Sequence, residues 1–139
     1  MMLCLAIFSL IFTCCTQKHE VIIAQGGAGD YKVTNISTGE SVEVSGSTSI
    51  YIGIGYEPKL TAHKGETIKI EFIKAEEYSK YSYDTKFILH DGTVIENENP
   101  YEYVIPEATT PGEYRISFSA ISTEQIITSS GSLKIIIVE

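Results

Sequence analysis

Pro111-Gly112-Glu113-Tyr114-Arg115-Ile116-Ser117-Phe118-Ser119-Ala120 opens on a Pro-Gly turn and then alternates apolar with polar residues. Successive side chains of a strand point to opposite faces, so this period of two places Tyr114, Ile116, Phe118 and Ala120 on one dry side. A helix would divide the same four residues between two sides of its cylinder. Thr67-Ile68-Lys69-Ile70-Glu71-Phe72 repeats the pattern, with Ile68, Ile70 and Phe72 opposite Lys69 and Glu71. Working outward, 83–89 forms a third strand with Tyr83, Thr85, Phe87 and Leu89 on one face, and 133–138 a nearly all-aliphatic fourth. Shorter candidates lie at 31–36, 42–44, 50–54, 60–62, 93–95 and 101–105. Turns are expected at Thr38-Gly39-Glu40, Lys64-Gly65-Glu66, His90-Asp91-Gly92, Pro111-Gly112 and Ser130-Gly131. Only 75–80 has room for a helical turn, and no longer apolar stripe runs at helical spacing, so helices cannot form the core.

Seven to nine short strands separated by glycine turns predict an all-β fold, a single immunoglobulin-like antiparallel β-sandwich. Tyr114, directly after the Pro-Gly turn, stands where such sandwiches place a tyrosine corner. The chain has no Trp, so Tyr83, Phe87, Phe72 and Phe118 must supply the large core volumes. The stretch 83–120 resembles the polycystic-kidney-disease-type immunoglobulin-like domains of bacteria, with Phe87, Asp91-Gly92-Thr93, Pro100, Tyr103 and Pro111-Gly112-Glu113-Tyr114 at the matching positions. That resemblance implies a spacer, an adhesive module or a carbohydrate-associated module at a cell surface.

The N-terminus is a different material. Leu3-Cys4-Leu5-Ala6-Ile7-Phe8-Ser9-Leu10-Ile11-Phe12 is uncharged and apolar, and the first ionisable side chain is Lys18. The run is about half the roughly twenty residues needed to span a bilayer, which suits the apolar region of a secretory signal. A buried first element of the domain is the plainer alternative. Ile11-Phe12-Thr13-Cys14 resembles the cleavage motif of bacterial lipoproteins, with Phe12-Thr13-Cys14-Cys15 as a competing frame. The resemblance implies acylation of Cys14, or alternatively Cys15, and a tether to the outer membrane or cell surface; more than one acyl chain makes such an anchor stable. Gln17-Lys18-His19-Glu20 is similar in part to the stretch that sends some lipoproteins of Gram-negative bacteria to the outer face. The expected partition is a signal peptide at 1–14, a flexible tether at 15–30 and the sandwich at 31–139. The tether boundary follows from Gln25-Gly26-Gly27-Ala28-Gly29-Asp30, whose glycines resist regular structure.

Ten Lys and Arg against eighteen Asp and Glu leave a formal charge of −8, which argues against a nucleic-acid partner. Cys4, Cys14 and Cys15 all precede the domain, so no disulfide staples it. His19, His63 and His90 show no metal-ligand spacing and read as tether and turn residues, and no Gly-x-Ser-x-Gly occurs. No enzymatic activity, cofactor or metal is therefore expected. Asp91, Glu96 and Glu98, with Asn97 and Asn99, offer oxygens to calcium but miss the EF-hand spacing, and a solvated acidic hairpin is the simpler reading. Tyr78, Tyr81, Tyr101 and Tyr103 are the candidate binding residues, because a tyrosine ring offers apolar area while its hydroxyl stays wet. The competing view is that these rings fill the core of a Trp-free sandwich. The expected function is a non-catalytic, lipid-anchored module binding a glycan or an envelope protein, with a structural spacer or accessory subunit as the alternative.

Overall fold

Period-two alternation becomes nine strands in the computed structural model, which describes residues 27–46, 58–124 and 127–139. They are β1 (Gly29–Asn35), β2 (Ser41–Val44), β3 (Lys59–His63), β4 (Thr67–Lys74), β5 (Tyr83–Ile88), β6 (Val94–Glu96), β7 (Tyr101–Val104), β8 (Gly112–Ser122) and β9 (Thr128–Val138). A single 3-10 turn, Glu76–Tyr78, occupies the place where the sequence allowed a helical turn. Two sheets form, ordered β2-β1-β4-β7 and β3-β9-β8-β5-β6. Pairing β4 with β7 in one sheet and β9-β8-β5 in the other is the arrangement of an immunoglobulin-like sandwich.

Three sequence expectations change. The sandwich is not antiparallel throughout, because β3 runs parallel to β9, with Lys59 opposite Lys134 and His63 opposite Val138. No hairpin joins these distant strands, so no tight turn imposes opposite directions on them. The first sheet also begins at Gly29, not Tyr31. Gly27 N–H donates to the Gly46 carbonyl at 2.9 Å, Ala28 is fully buried, and a Cβ on Gly29 would stand 2.1 Å from the Ile73 carbonyl oxygen. The glycine there permits a close approach of two backbones rather than flexibility. Ser130-Gly131, expected as a turn, lies inside β9. A Cβ on Gly131 would approach Val44 Cγ1 to 3.1 Å, so the missing side chain lets β9 pack under β2. The signal at 1–14, Cys14 and Cys15, His19, the tether as far as residue 26 and the strand expected at 50–54 lie outside the described residues.

Tyr31, which sequence reasoning did not single out, is the largest fully buried side chain. Its ring stacks on Phe118 with centroids 4.9 Å apart and meets Phe72 at 5.2 Å. Phe118 in turn meets Phe87 edge-on at 6.4 Å, and Phe72 meets Tyr83 at 5.2 Å. Around these rings lie the aliphatic residues of the alternating strands, among them Ile68, Ile70, Ile116, Leu133, Ile135 and Ile137. The Tyr31 hydroxyl donates to the Ser129 carbonyl at 3.1 Å, and Ser129 Oγ donates back to the Gly29 carbonyl at 3.0 Å, tying β1 to β9 across the sandwich. Tyr114 forms the tyrosine corner, its hydroxyl donating to the Thr110 carbonyl four residues upstream. On the outer face of the four-stranded sheet, Lys32 stands between Glu43 and Glu71, and Lys69 opposite Glu102. Such opposite-charge neighbours contribute about 0.2–1 kcal/mol each.

Removing the ring at the centre of this cluster by Phe118→Ala should destabilise the domain by about 3–5 kcal/mol through lost burial and a residual cavity. Tyr31→Phe keeps the ring but strands the Ser129 carbonyl, and should cost about 1 kcal/mol. Equilibrium urea unfolding followed by tyrosine fluorescence measures both, and a smaller loss for Phe118→Ala than for Tyr31→Phe would contradict this account of the core.

Candidate functional site

Strand alternation does bring Tyr101 and Tyr103 to one face of β7, but that face is the inner one. Tyr103 is buried, and Tyr101 is half-buried, stacked on Phe87 with centroids 6.2 Å apart. Burial pushes the Tyr103 hydroxyl up to about 12, with the charge of Asp91 and the nearby Tyr101 adding to the shift. No described residue accepts or donates a hydrogen bond at that hydroxyl. Tyr78 lies in the 3-10 turn and packs partly against the core, while Tyr81 is half-buried with the Lys80 ammonium 5.0 Å from its ring centroid. The four tyrosines named from the sequence are thus divided between the inner face of β7 and the connection from β4 to β5.

His90 departs from the sequence expectation of a solvated turn residue. Its ring lies half-buried between Tyr114, 4.4 Å away between centroids, and Tyr103, 5.8 Å away. The Asp91-Gly92 turn folds the chain back at the point where β7 and β8 also meet this end of the sandwich, so the imidazole fills the gap between their tyrosines. His63 stays exposed, its ring bonded to the Glu139 carbonyl.

Two residues of the acidic segment after β5, Asp91 and Asn99, hold backbone. Asn99 Oδ1 accepts the Phe72 N–H at 2.7 Å and its Nδ2 donates to the Phe72 carbonyl at 3.2 Å, clamping the far end of β4. Asp91 Oδ1 accepts the Thr93 N–H at 2.8 Å, and this bond holds its carboxyl below the usual carboxylate range. Glu96 pairs with Lys86 at 3.6 Å. A comparable device at the start of β4 was not legible in the sequence: buried Asn35 donates to Glu66 Oε2 at 2.6 Å, and the same oxygen accepts the His63 N–H at 2.8 Å. Those two bonds lower the Glu66 pKa, the backbone bond from His63 first. Among the described residues no group of three or more His, Cys, Asp or Glu side chains is placed to hold a metal ion.

Both outer faces are open: the four-stranded sheet exposes Ile73 and Val104 at 50% and 58%, and the five-stranded sheet carries a groove. Asp84 and Lys86 on β5, Glu96 and Asn97 at the end of β6, and Ser119 and Ile121 on β8 line a shallow groove of about 220 Å³. Ile88, Val94 and Ile121 stand exposed around it, at 40%, 46% and 39% of their full surface. Next to them, Ser117 pairs with Ser132 and Ser119 with Ser130 across β8 and β9, making a flat shelf of hydroxyls. The alternation of β8 marked Ser117 and Ser119 as outward-facing. Nothing in the sequence placed Ser130 and Ser132 beside them, because Gly131 reads locally as a turn. No protein-family model matches the chain, and no curated protein matches it.

Asn99→Ala removes two hydrogen bonds to one residue of β4 and should destabilise the domain by about 2 kcal/mol in urea unfolding. Tyr103→Phe removes a buried hydroxyl that has no protein partner, so its stability at pH 8 should match or exceed that of the parent. The folded pKa of Tyr103 is raised, so its stabilising contribution is complete below pH about 10 and is lost as pH rises through about 12. Tyr103→Phe should therefore lose less stability than the parent over that window, and equal losses at both ends of it would refute the assignment.

Proposed function

We propose that this protein is an exported, lipid-anchored envelope component whose immunoglobulin-like sandwich binds a glycan or protein partner without catalysing a reaction on it. The uncharged apolar leader ending at Cys14-Cys15 supports the anchor. The observation that carries the binding reading is the open outer face of the five-stranded sheet. Its groove of about 220 Å³ is smaller than the roughly 300–1,000 Å³ of an enclosed small-molecule site. A surface that is shallow, bordered by three exposed aliphatic side chains and lined by hydroxyls suits a ligand that lies on it rather than one that enters it. The resemblance of 83–120 to polycystic-kidney-disease-type domains points to the same class of role. A spacer role is the second reading, favoured by the placement of Tyr101 and Tyr103 toward the core instead of on a binding rim.

Mass spectrometry of the N-terminal peptide from a membrane fraction should find an acylated Cys14 or Cys15, and an unprocessed Met1 would overturn the anchor. Glycan arrays and pull-downs with the full chain should detect a partner whose binding falls about tenfold in Ile121→Asp, with the urea midpoint retained. That loss corresponds to about 1.4 kcal/mol of interface. Under the spacer reading no ligand is captured by the isolated protein, and in-cell crosslinking finds a fixed neighbour that Ile121→Asp does not disturb.

A further inference from the structure

Strand β6 ends the five-stranded sheet, and its hydrogen bonds to β5 fix which of its backbone groups face outward. Asn97 N–H donates to the Thr85 carbonyl at 2.7 Å and Leu89 N–H to the Thr93 carbonyl at 2.9 Å, so the backbone groups of Thr93, Ile95 and Asn97 turn toward β5. In an antiparallel strand these groups alternate between the two sides. Those of Val94 and Glu96 therefore point away from β5, along the sheet edge, where an extended chain can add a further strand.

Two other sheet edges are blunted against such an addition. On β3, the Pro58 carbonyl accepts the Lys134 N–H at 3.1 Å, which turns alternate residues toward β9 and leaves the backbone groups of Thr61 and His63 facing away from it. Side chains already occupy two of these: Asn35 Nδ2 donates to the Thr61 carbonyl at 3.4 Å, and Glu66 Oε2 accepts the His63 N–H at 2.8 Å. β7 runs between Pro100 and Pro106, and proline blunts an edge because it has no N–H to give. β6 is short, so a strand added there gains few backbone bonds and its side chains must contribute. Ile95 packs toward the core, which leaves the side chains of Val94 and Glu96 on the outer face. Val94 lies opposite Ile88, and both are exposed. Glu96 lies opposite Lys86 at 3.6 Å, with 65% of the Glu96 side chain still exposed. An ion pair this open binds its members weakly and leaves the carboxylate able to take a second cation.

We propose that β6 receives a strand from a protein partner, an extended segment that carries a basic residue and, two positions later, an aliphatic one. The segment lies antiparallel to β6, with the basic residue opposite Glu96 and the aliphatic one opposite Val94. An arginine at the first position presents paired donors to the Glu96 carboxylate. The aliphatic residue at the second extends the row formed by Val94 and Ile88. A carboxylate at the first position would instead stand directly opposite Glu96, and like charges so placed oppose pairing. The excess of 18 acidic over 10 basic residues favours a basic partner before contact as well as at it. The inference goes beyond the ligand of the open face, because it concerns the sheet edge and the backbone groups exposed there.

The test uses the full chain in detergent and a short fluorescent peptide with Arg-Thr-Val at its centre and threonine elsewhere, followed by anisotropy. This peptide should bind, and one with Glu in place of the Arg should bind about tenfold more weakly. Methylating the backbone nitrogens of the Arg and the Val, which face β6 in the added strand, should abolish binding although no charge changes. Glu96→Gln should weaken the Arg peptide about fivefold with the urea midpoint retained. Glu96→Lys should reverse the preference in favour of the Glu peptide, a swap that a folding defect would not produce. Equal binding of the methylated and unmethylated peptides would reduce the contact to charge alone and overturn strand addition. No binding of the Arg peptide, or no reversal by Glu96→Lys, overturns it too. A glycan captured on arrays without any binding of the Arg peptide overturns it while leaving the open-face reading intact. A dimer in sedimentation that Glu96→Lys abolishes would assign the edge to a second copy of the chain and overturn the partner proposed.

Discussion

The sandwich depends on the place where Tyr31 crosses from one sheet to the other. Its ring stacks on Phe118 of the five-stranded sheet while its hydroxyl reaches the Ser129 carbonyl, so one side chain supplies both the central apolar volume and a polar link across the layers. Burying a phenol costs less when its hydroxyl finds an acceptor, and Ser129 supplies one to Tyr31 while its own Oγ is satisfied by Gly29. In a chain without Trp and with its three cysteines at positions 4, 14 and 15, this aromatic crossing links the two sheets without the inter-sheet disulfide and core Trp of antibody domains.

Two glycines make the crossing possible. Gly29 lets β1 lie against the β4 backbone, and Gly131 lets β9 pass beneath Val44 opposite Phe118. Read along the chain, both belong to segments that suggest linker or turn. In three dimensions each is a point of close approach, and the layers come together because the side chain is absent there. The consequence for function is indirect but concrete: β9 continues unbroken, so its outward residues Ser130, Ser132 and Lys134 align with those of β8 and build the face on which the candidate site lies.

Much of the core was legible because burial leaves a two-residue period. Ile68, Ile70 and Phe72 on β4, and Ile116, Phe118 and Ala120 on β8, are buried as the alternation requires. The candidate site was less legible. Tyr101 and Tyr103 share a face as alternation predicts, yet period two does not say which face is wet, and the packing of Phe87 against Tyr101 turned both inward. His90 looked like part of a solvated turn because its neighbours Asp91 and Gly92 do form one. Tyr103 and Tyr114, 13 and 24 positions away in the chain, come to lie on either side of it and convert it into a packed residue.

From the sequence alone followed the fold class, the longer alternating strands with the residues that share each face, and the contrast between an uncharged, cysteine-bearing apolar first stretch and the acidic remainder. Those are local properties, written in period, turn chemistry and composition, and each can be read within a window of a few residues. Tertiary structure decided which strands became neighbours and in what register: β3 parallel to β9, Lys59 beside Lys134 beside Arg115, serine beside serine. Register depends on packing between residues far apart in the chain. A one-position shift would exchange inward for outward residues along a strand, so only the assembled core determines which charges meet on the surface.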